Sequence, residues 1–283
     1  MKLISVLDHL AAAPAAPPAP RRALLAQLGR AAAAALPVGL AARPAAAAPT
    51  DTPFDAVTQL LLLERVQQAF YAQALAVPGL VPAAQVPGFQ RLLLHQTQHA
   101  AFLTLALQNA GAAVPPAPAF DFSGRRGVAT NPVLFPNVLS AYDEFLALAQ
   151  QLEDLGVRLY QGRAFAIVSD NQLAGAVRRM YAVEARHSAH VRGLRQGRGV
   201  AVKTWPSPTD DAIVRPPAAQ ALTLAATGGE DNTTQYLTAG IPVPFAYLLP
   251  TNGSLAVQAT AVAEAFDEPI TGAAAQAALD LFS

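Results

Sequence analysis

The sequence predicts an all-α fold: a four-helix bundle of two helical hairpins joined by one long crossover, with an irregular C-terminal extension ending in short helices. Three observations predict it. Four long stretches carry apolar residues at helical spacing and are broken by Pro and Gly. A Pro- and Gly-rich stretch, 112–136, separates the second from the third. The second pair of helical stretches repeats the polar positions of the first. Composition agrees, because 53% apolar and 13% charged residues suffice for a core and leave too few charges for a disordered chain. The net charge of zero, without a basic patch interleaved with aromatics, predicts no nucleic-acid partner. Cysteine is absent, which excludes disulfides and thiolate ligands.

Residues 1–50 stand apart as a leader. Pro14 to Pro20 is a Pro/Ala tract predicted to be disordered. Arg21-Arg22-Ala-Leu-Leu25, the apolar segment Ala31 to Leu40 and an Ala run ending near Ala48 have the order of an export signal. The leader resembles a twin-arginine signal, which implies a bacterial protein exported to the periplasm or outside the cell. The apolar segment is short and interrupted by Arg30 and Pro37, with Arg43 following. It does not span a bilayer, so no integral membrane segment is expected once the signal is removed.

The bundle is expected over 51–196. Thr52-Pro-Phe-Asp55 caps a first helix running to about Ala76, with Pro early in its first turn. Glu64 follows four leucines there, and a carboxylate in so apolar a run is unfavourable unless paired or bound to metal. A second helix covers roughly Gly88 to Ala110 and stops at Gly111. The crossover follows, with Phe120, Phe122 and Phe135 expected along the outside of the bundle. A third helix is predicted from about Asn137 to Val168, with Glu153 in its apolar face. Ser169-Asp-Asn-Gln172 has the form of a capping box for the fourth helix.

The fourth helix carries Glu184-Ala-Arg-His187. A Glu and a His three residues apart share one helical face, one turn apart, so both reach a common ion and the carboxylate is free to bridge to a second. Carboxylate-bridged di-metal bundles project such elements inward from facing helices. The two halves of the chain match around it. Leu63-Glu64 precedes Tyr71 by the same spacing as Leu152-Glu153 precedes Tyr160, and Gln96-x-x-His99 parallels Glu184-x-x-His187. The separation from acid to second element is 32 residues in one half and 31 in the other, which sets all four elements at one depth in the core.

With these motifs, residues 54 to 195 resemble the ferritin-like superfamily. The leader and the C-terminal extension are more specifically similar to ferritin-like domain proteins of the desiccation-related group. The resemblance implies a di-metal centre, iron or manganese, held by Glu64, His99, Glu153, Glu184 and His187. The sixth position, a bridging Glu in the superfamily, is Gln96 here, a weak neutral ligand. Three carboxylates against two divalent ions leave one positive charge uncompensated, so the site is expected to be degenerate, with one ion or a loosely held second. Tyr71 and Tyr160 are candidates for hydrogen bonds to the carboxylates or for ordinary core aromatics. His95 and His190 are expected to be ordinary helix histidines.

The extension, 197–283, shows no catalytic constellation. Val200 to Pro208 reads as extended, Thr227 to Gln235 as a polar turn, 254–267 as a helix, and Thr271 as the cap of a last short helix ending at Phe282. Covering one face of the bundle or making a homo-oligomer contact are its expected roles. Two functions fit: an exported metal-binding bundle serving metal, oxidative or desiccation stress, or a metal-free structural bundle of the cell envelope.

Overall fold

The computed structural model describes residues 52–167, 170–227, 235–238, 241–244, 260–261 and 263–283. The leader, with Arg21 and Arg22, lies outside them, as do half of the helix expected over 254–267 and the turn at 228–234. Four long helices form the bundle: α1 Pro53–Ala76, α2 Val86–Asn109, α3 Tyr142–Ala164 and α4 Asn171–Gly197. Two short helices follow, α5 Gln220–Thr227 and α6 Gly272–Leu279. A hairpin of β1 (Gln235–Thr238) and β2 (Ile241–Pro244) is antiparallel, pairing Gln235 with Pro244 and Thr238 with Ile241. The sequence reading had no strand there. No described helix is long and apolar enough to cross a membrane.

The helix ends follow their local chemistry. Thr52 and Asp55 form a reciprocal capping box at α1, with Pro53 at its start. At α4 the cap is Asp170, whose carboxylate accepts from the Gln172 and Leu173 amides, rather than the expected Ser169. The third helix starts five residues later than expected. Asn137 takes a left-handed φ of 60° and accepts from the Ser140 and Ala141 amides, so the chain turns before Tyr142. Its end passes into a 3-10 turn, Phe165–Ile167.

Packing pairs α1 with α2 and α3 with α4 most closely. From Phe145 to Tyr160 every residue of α3 is buried, since α4 covers one side and α5 and α6 pack on others. The crossover and the extension dress α1 and α3. Arg65 donates to the Pro115 carbonyl at 2.7 Å, Gln59 to the Gly272 carbonyl at 2.7 Å and Arg158 to the Glu268 and Ala225 carbonyls at 2.8 Å each. Gly162 permits this approach: a Cβ there would lie 2.3 Å from the Ile270 carbonyl oxygen. Phe122 and Phe135 are buried, a correction to their expected place on the outside. Phe122 packs on Phe70 of α1, and Phe122 and Phe135 meet Phe282 at 5.5 and 5.1 Å between ring centroids. Phe282 therefore closes the core over the crossover, where the Asp121 amide also donates to its carbonyl at 2.8 Å.

A second tie crosses from α3 and α4 to the irregular segment after α4. Arg192, fully buried, binds Asp154 at 2.7 Å and Asp210 at 2.5 Å, and Ser188 donates to Asp154 at 2.6 Å. Removing one member of such a buried network strands the other charges.

Phe282→Ala removes a fully buried ring from the crossover layer. It is expected to destabilise the chain by roughly 3–5 kcal/mol, measured by denaturant unfolding followed through far-UV circular dichroism.

Candidate metal centre

Each bundle helix turns at least one polar side chain inward at the same depth. On α1, Leu60, Leu61, Leu63 and Glu64 are all at 0% exposure, so Glu64 sits in the apolar wall the four-leucine run builds. Glu153 of α3, Glu184 of α4 and Gln96 of α2 are likewise at 0%. His187 is buried, and His99 keeps 12% of its side-chain surface.

The structure brings together all five acids and histidines singled out from the sequence. They fall into two trios, Glu64–His99–Glu184 and Glu153–Glu184–His187, each with its ligand-type atoms within 4.8 Å of one another. Glu184 belongs to both. Its Oε1 lies 3.4 Å from His99 Nδ1 and 3.4 Å from His187 Nδ1. His99 Nδ1 is also 3.3 Å from Glu64 Oε1, and His187 Nδ1 is 3.5 Å from Glu153 Oε2.

Gln96 joins the cluster through its amide, which lies 3.4 Å from Glu184 Oε2. Turned end for end, the amide would donate to Glu64 Oε2 at 3.1 Å and Glu184 Oε1 at 3.3 Å. Either way an N–H donor faces the carboxylates at the position where a bridging acid would stand.

The two phenols pair crosswise. Tyr71 of α1 donates to Glu153 of α3, and Tyr160 of α3 donates to Glu64 of α1. Seven residues is two helical turns, about 10 Å, so neither phenol reaches the acid on its own helix. Antiparallel α1 and α3 place each opposite the other's acid.

Three participants were not found in the sequence. Gln67 donates to Glu184 Oε2 at 3.2 Å and to the Leu152 carbonyl at 3.1 Å. Its signal was the spacing Glu64-x-x-Gln67, a second polar residue on the same buried face. Gly156 occupies the matching place in the other half. A Cβ there would come within 3.0 Å of Glu184 Oε2 and 3.1 Å of the Gln67 amide, so the absent side chain makes the room that Gln67 fills. His95, read as an ordinary helix histidine, instead lies with Nδ1 2.9 Å from His187 Nε2. With Nε2–H of His187 donating there, Nδ1 of His187 is the nitrogen left toward the carboxylates. His190 keeps the ordinary reading, its ring packed edge-on at 6.0 Å from Phe89.

A metal ion fits this donor set. His99 Nδ1, His187 Nδ1 and Glu153 Oε2 are buried without a hydrogen bond, and all three point into the cluster. Orphaned buried donors and acceptors are costly and rare, and here they converge. Oxygen and imidazole ligands without thiolate suit iron or manganese.

The electrostatics describe the cluster holding protons in place of an ion. Burial, then the charge of Glu184, raise Glu64 and Glu153 to about 7 each. Burial lowers the imidazoles, but the carboxylates around them reverse this and raise His99 to about 9 and His187 to about 10. Burial pushes Glu184 up, and the adjacent imidazoliums His187 and His99 more than offset it, holding Glu184 below the usual carboxylate range. Burial and then Glu153 and Glu64 raise the phenols of Tyr71 and Tyr160 respectively, so they remain donors.

Residues 53–197, just over half of the chain, match the ferritin-like domain family. A comparison with curated proteins gives no match.

The pH dependence of the metal-free protein follows from these shifts. The raised glutamates stabilise the fold fully below pH 4.5, and that contribution is lost as pH rises through 7. The raised imidazoles stabilise it fully below pH 6.5 and lose their contribution as pH rises through 9 to 10. Thermal unfolding of chelator-treated protein is expected to show a falling melting temperature between pH 5 and 10. Saturating manganese should flatten that fall, because the ion displaces the same protons.

Proposed function

The chain belongs to the ferritin-like family, and we propose that its bundle core binds one or two iron or manganese ions in a degenerate dinuclear carboxylate site. The observation that carries this reading is Glu184, fully buried and shared by two trios of ligand-type atoms. Glu64 with His99 would hold one ion and Glu153 with His187 the other, and Glu184 would serve both. Bound iron or manganese supplies one-electron redox chemistry toward oxygen-derived oxidants. The protein's own part is positional. Tyr160 and Tyr71 hold Glu64 and Glu153 by their phenolic protons, Gln67 holds the outer oxygen of Glu184, and His95 fixes the ring of His187.

Gln96 limits the site. Three carboxylates leave one positive charge uncompensated beside two divalent ions, and three beside two trivalent ones, in a core where charge is poorly screened. An amide N–H facing Glu184 must also turn away before its carbonyl can serve. The second position is therefore weak, and oxidised pairs are disfavoured. Gln96→Glu supplies the missing charge with little change in volume. Elemental analysis is expected to rise from about one ion per chain toward two on this substitution, whereas Glu184→Gln should lose most of the metal. A wild type that already holds two tightly bound ions, unimproved by Gln96→Glu, would overturn the charge argument.

A second reading, a metal-free structural bundle, draws on one observation. Two imidazoliums set against Glu184 and its partly protonated neighbours balance the core charge without an ion. Protein from its native host that contains no iron or manganese would favour it.

The leader's resemblance to a twin-arginine signal supports a reading in which this activity lies outside the cytoplasm of a bacterium. Arg21-Arg22 ahead of a short apolar segment directs export of the folded chain, and metal loaded during folding travels with it. The Ala265-Phe-Asp-Glu-Pro-Ile-Thr271 stretch and the leader resemble those of the desiccation-related group, which supports a role in protection from stress. Replacing both Arg21 and Arg22 by Lys is expected to leave an uncleaved precursor in the cytoplasm, seen by fractionation and immunoblotting.

A further inference from the structure

Among the described residues, the cluster reaches the surface on one side. Among its residues only His99 keeps appreciable surface, and His95, one turn earlier on α2, is half-buried beside it. Both stand on the side of α2 that meets α4. Contact between α2 and α4 is sparse, since α2 packs chiefly on α1 and α4 on α3. Among the described residues, the side-chain bonds that tie the crossover and the extension to the bundle end on α1, α3 and α4. Solvent therefore approaches the cluster along the α2–α4 seam, past His95 and His99.

The charge along this seam has a single sign. Helix α2 contains no Asp or Glu, and the sole acid of α4 is the buried Glu184. Their exposed charges are Arg91, Arg178, Arg179 and Arg186. Among the described residues none of the four is in a salt bridge or a side-chain hydrogen bond. Arg91 stands one helical turn before His95 on α2 and Arg186 adjoins His187 on α4, so each helix sets one exposed arginine by the His95–His187 pair, whose rings meet at 2.9 Å. Among the described residues, a chain of zero net charge thus sets unpaired positive charge beside the side of the cluster that His99 exposes. A cleft lined by one sign raises the local concentration and the on-rate of the opposite sign, and repels its own.

We infer that the α2–α4 seam is the route by which small anions reach the cluster, with Arg91 and Arg186 as the steering charges and His95 and His99 as the residues passed on the way. The inference rests on the metal-binding reading and names its substrate class: an anionic ligand or oxidant, rather than a hydrated cation, uses this side of the bundle.

The test is stopped-flow absorbance of azide binding to the iron-loaded full chain, with iron content measured on each sample. Arg91→Gln with Arg186→Gln is expected to slow azide association about tenfold at low ionic strength. It should also remove most of the slowing that added salt causes in the wild type. Arg126→Gln, an exposed arginine on the crossover, should keep the wild-type rate. Iron content should be equal in all three. Equal iron with an unchanged azide rate in the double variant overturns the anion route and leaves the metal reading standing. A wild type that retains no iron overturns both.

Discussion

The approach of Glu184 to His99 and His187 is the interaction on which the rest of this structure depends. A carboxylate at 0% exposure loses several kcal/mol of hydration unless charge and hydrogen bonds replace it. The replacement comes from three helices at once. Imidazoles stand 3.4 Å from one oxygen, on α2 and on α4 itself, and amides from α1 and α2 face the other. This requirement fixes the rotation of α2 against α4 and the depth of α1. The crossed phenols then fix α1 against α3. A slip of one helix by a turn, about 5.4 Å, would separate every one of these pairs, so the polar core sets the register that an apolar core alone would leave loose.

The two halves of the bundle repeat without being equivalent, and the differences are concentrated at Glu184. Where the second half has an acid, the first has Gln96. Where the first half has Gln67, the second has Gly156. These changes fit together physically. Gln67 reaches across the axis only because Gly156 has no side chain in its way, and it gives Glu184 a hydrogen bond that a symmetric bundle would lack. The outcome is a core with one strongly held anion at its centre and two protonatable acids at its flanks. Such a core tolerates the loss of a fourth carboxylate because protons and amides take part of the load an ion would carry.

Much of this was legible in the sequence, for identifiable reasons. Helix placement followed from apolar spacing and from Pro and Gly breaks. The five acids and histidines followed from a repeat whose separations, 32 and 31 residues, differ by one. What stayed hidden depends on relations between helices. The crossing of Tyr71 to Glu153 and Tyr160 to Glu64 needs the antiparallel register of α1 and α3, which local spacing does not contain. His95 looked ordinary because its partner lies 92 residues away. Phe122 and Phe135 looked peripheral because Phe282, which covers them, is at the other end of the chain. Asp154 was passed over beside Glu153, although it anchors Arg192 and through it the segment after α4. The expected start of the third helix at Asn137 failed because a left-handed residue there makes a turn that apolar periodicity does not register.

The extension gains a physical role from where it binds. Asp154 neighbours Glu153 in α3, and Ser188 neighbours His187 in α4, so the buried Asp154–Arg192–Asp210 network grips the two helices that carry half of the cluster from their outer side. The Phe122–Phe135–Phe282 layer and the Arg158 bonds to Glu268 and Ala225 do the same along α1 and α3. A bundle clamped on these sides keeps its acids apart by the rigidity of packed helices, with no ion needed to hold the geometry. Among the described residues, the remaining side, between α2 and α4, carries no such clamp, and His99 keeps part of its surface there. Rigidity on the covered sides and access on the uncovered one are therefore two consequences of one arrangement. Among the described residues, chain added outside the bundle holds the acids and histidines of the cluster from behind, on the sides away from His99.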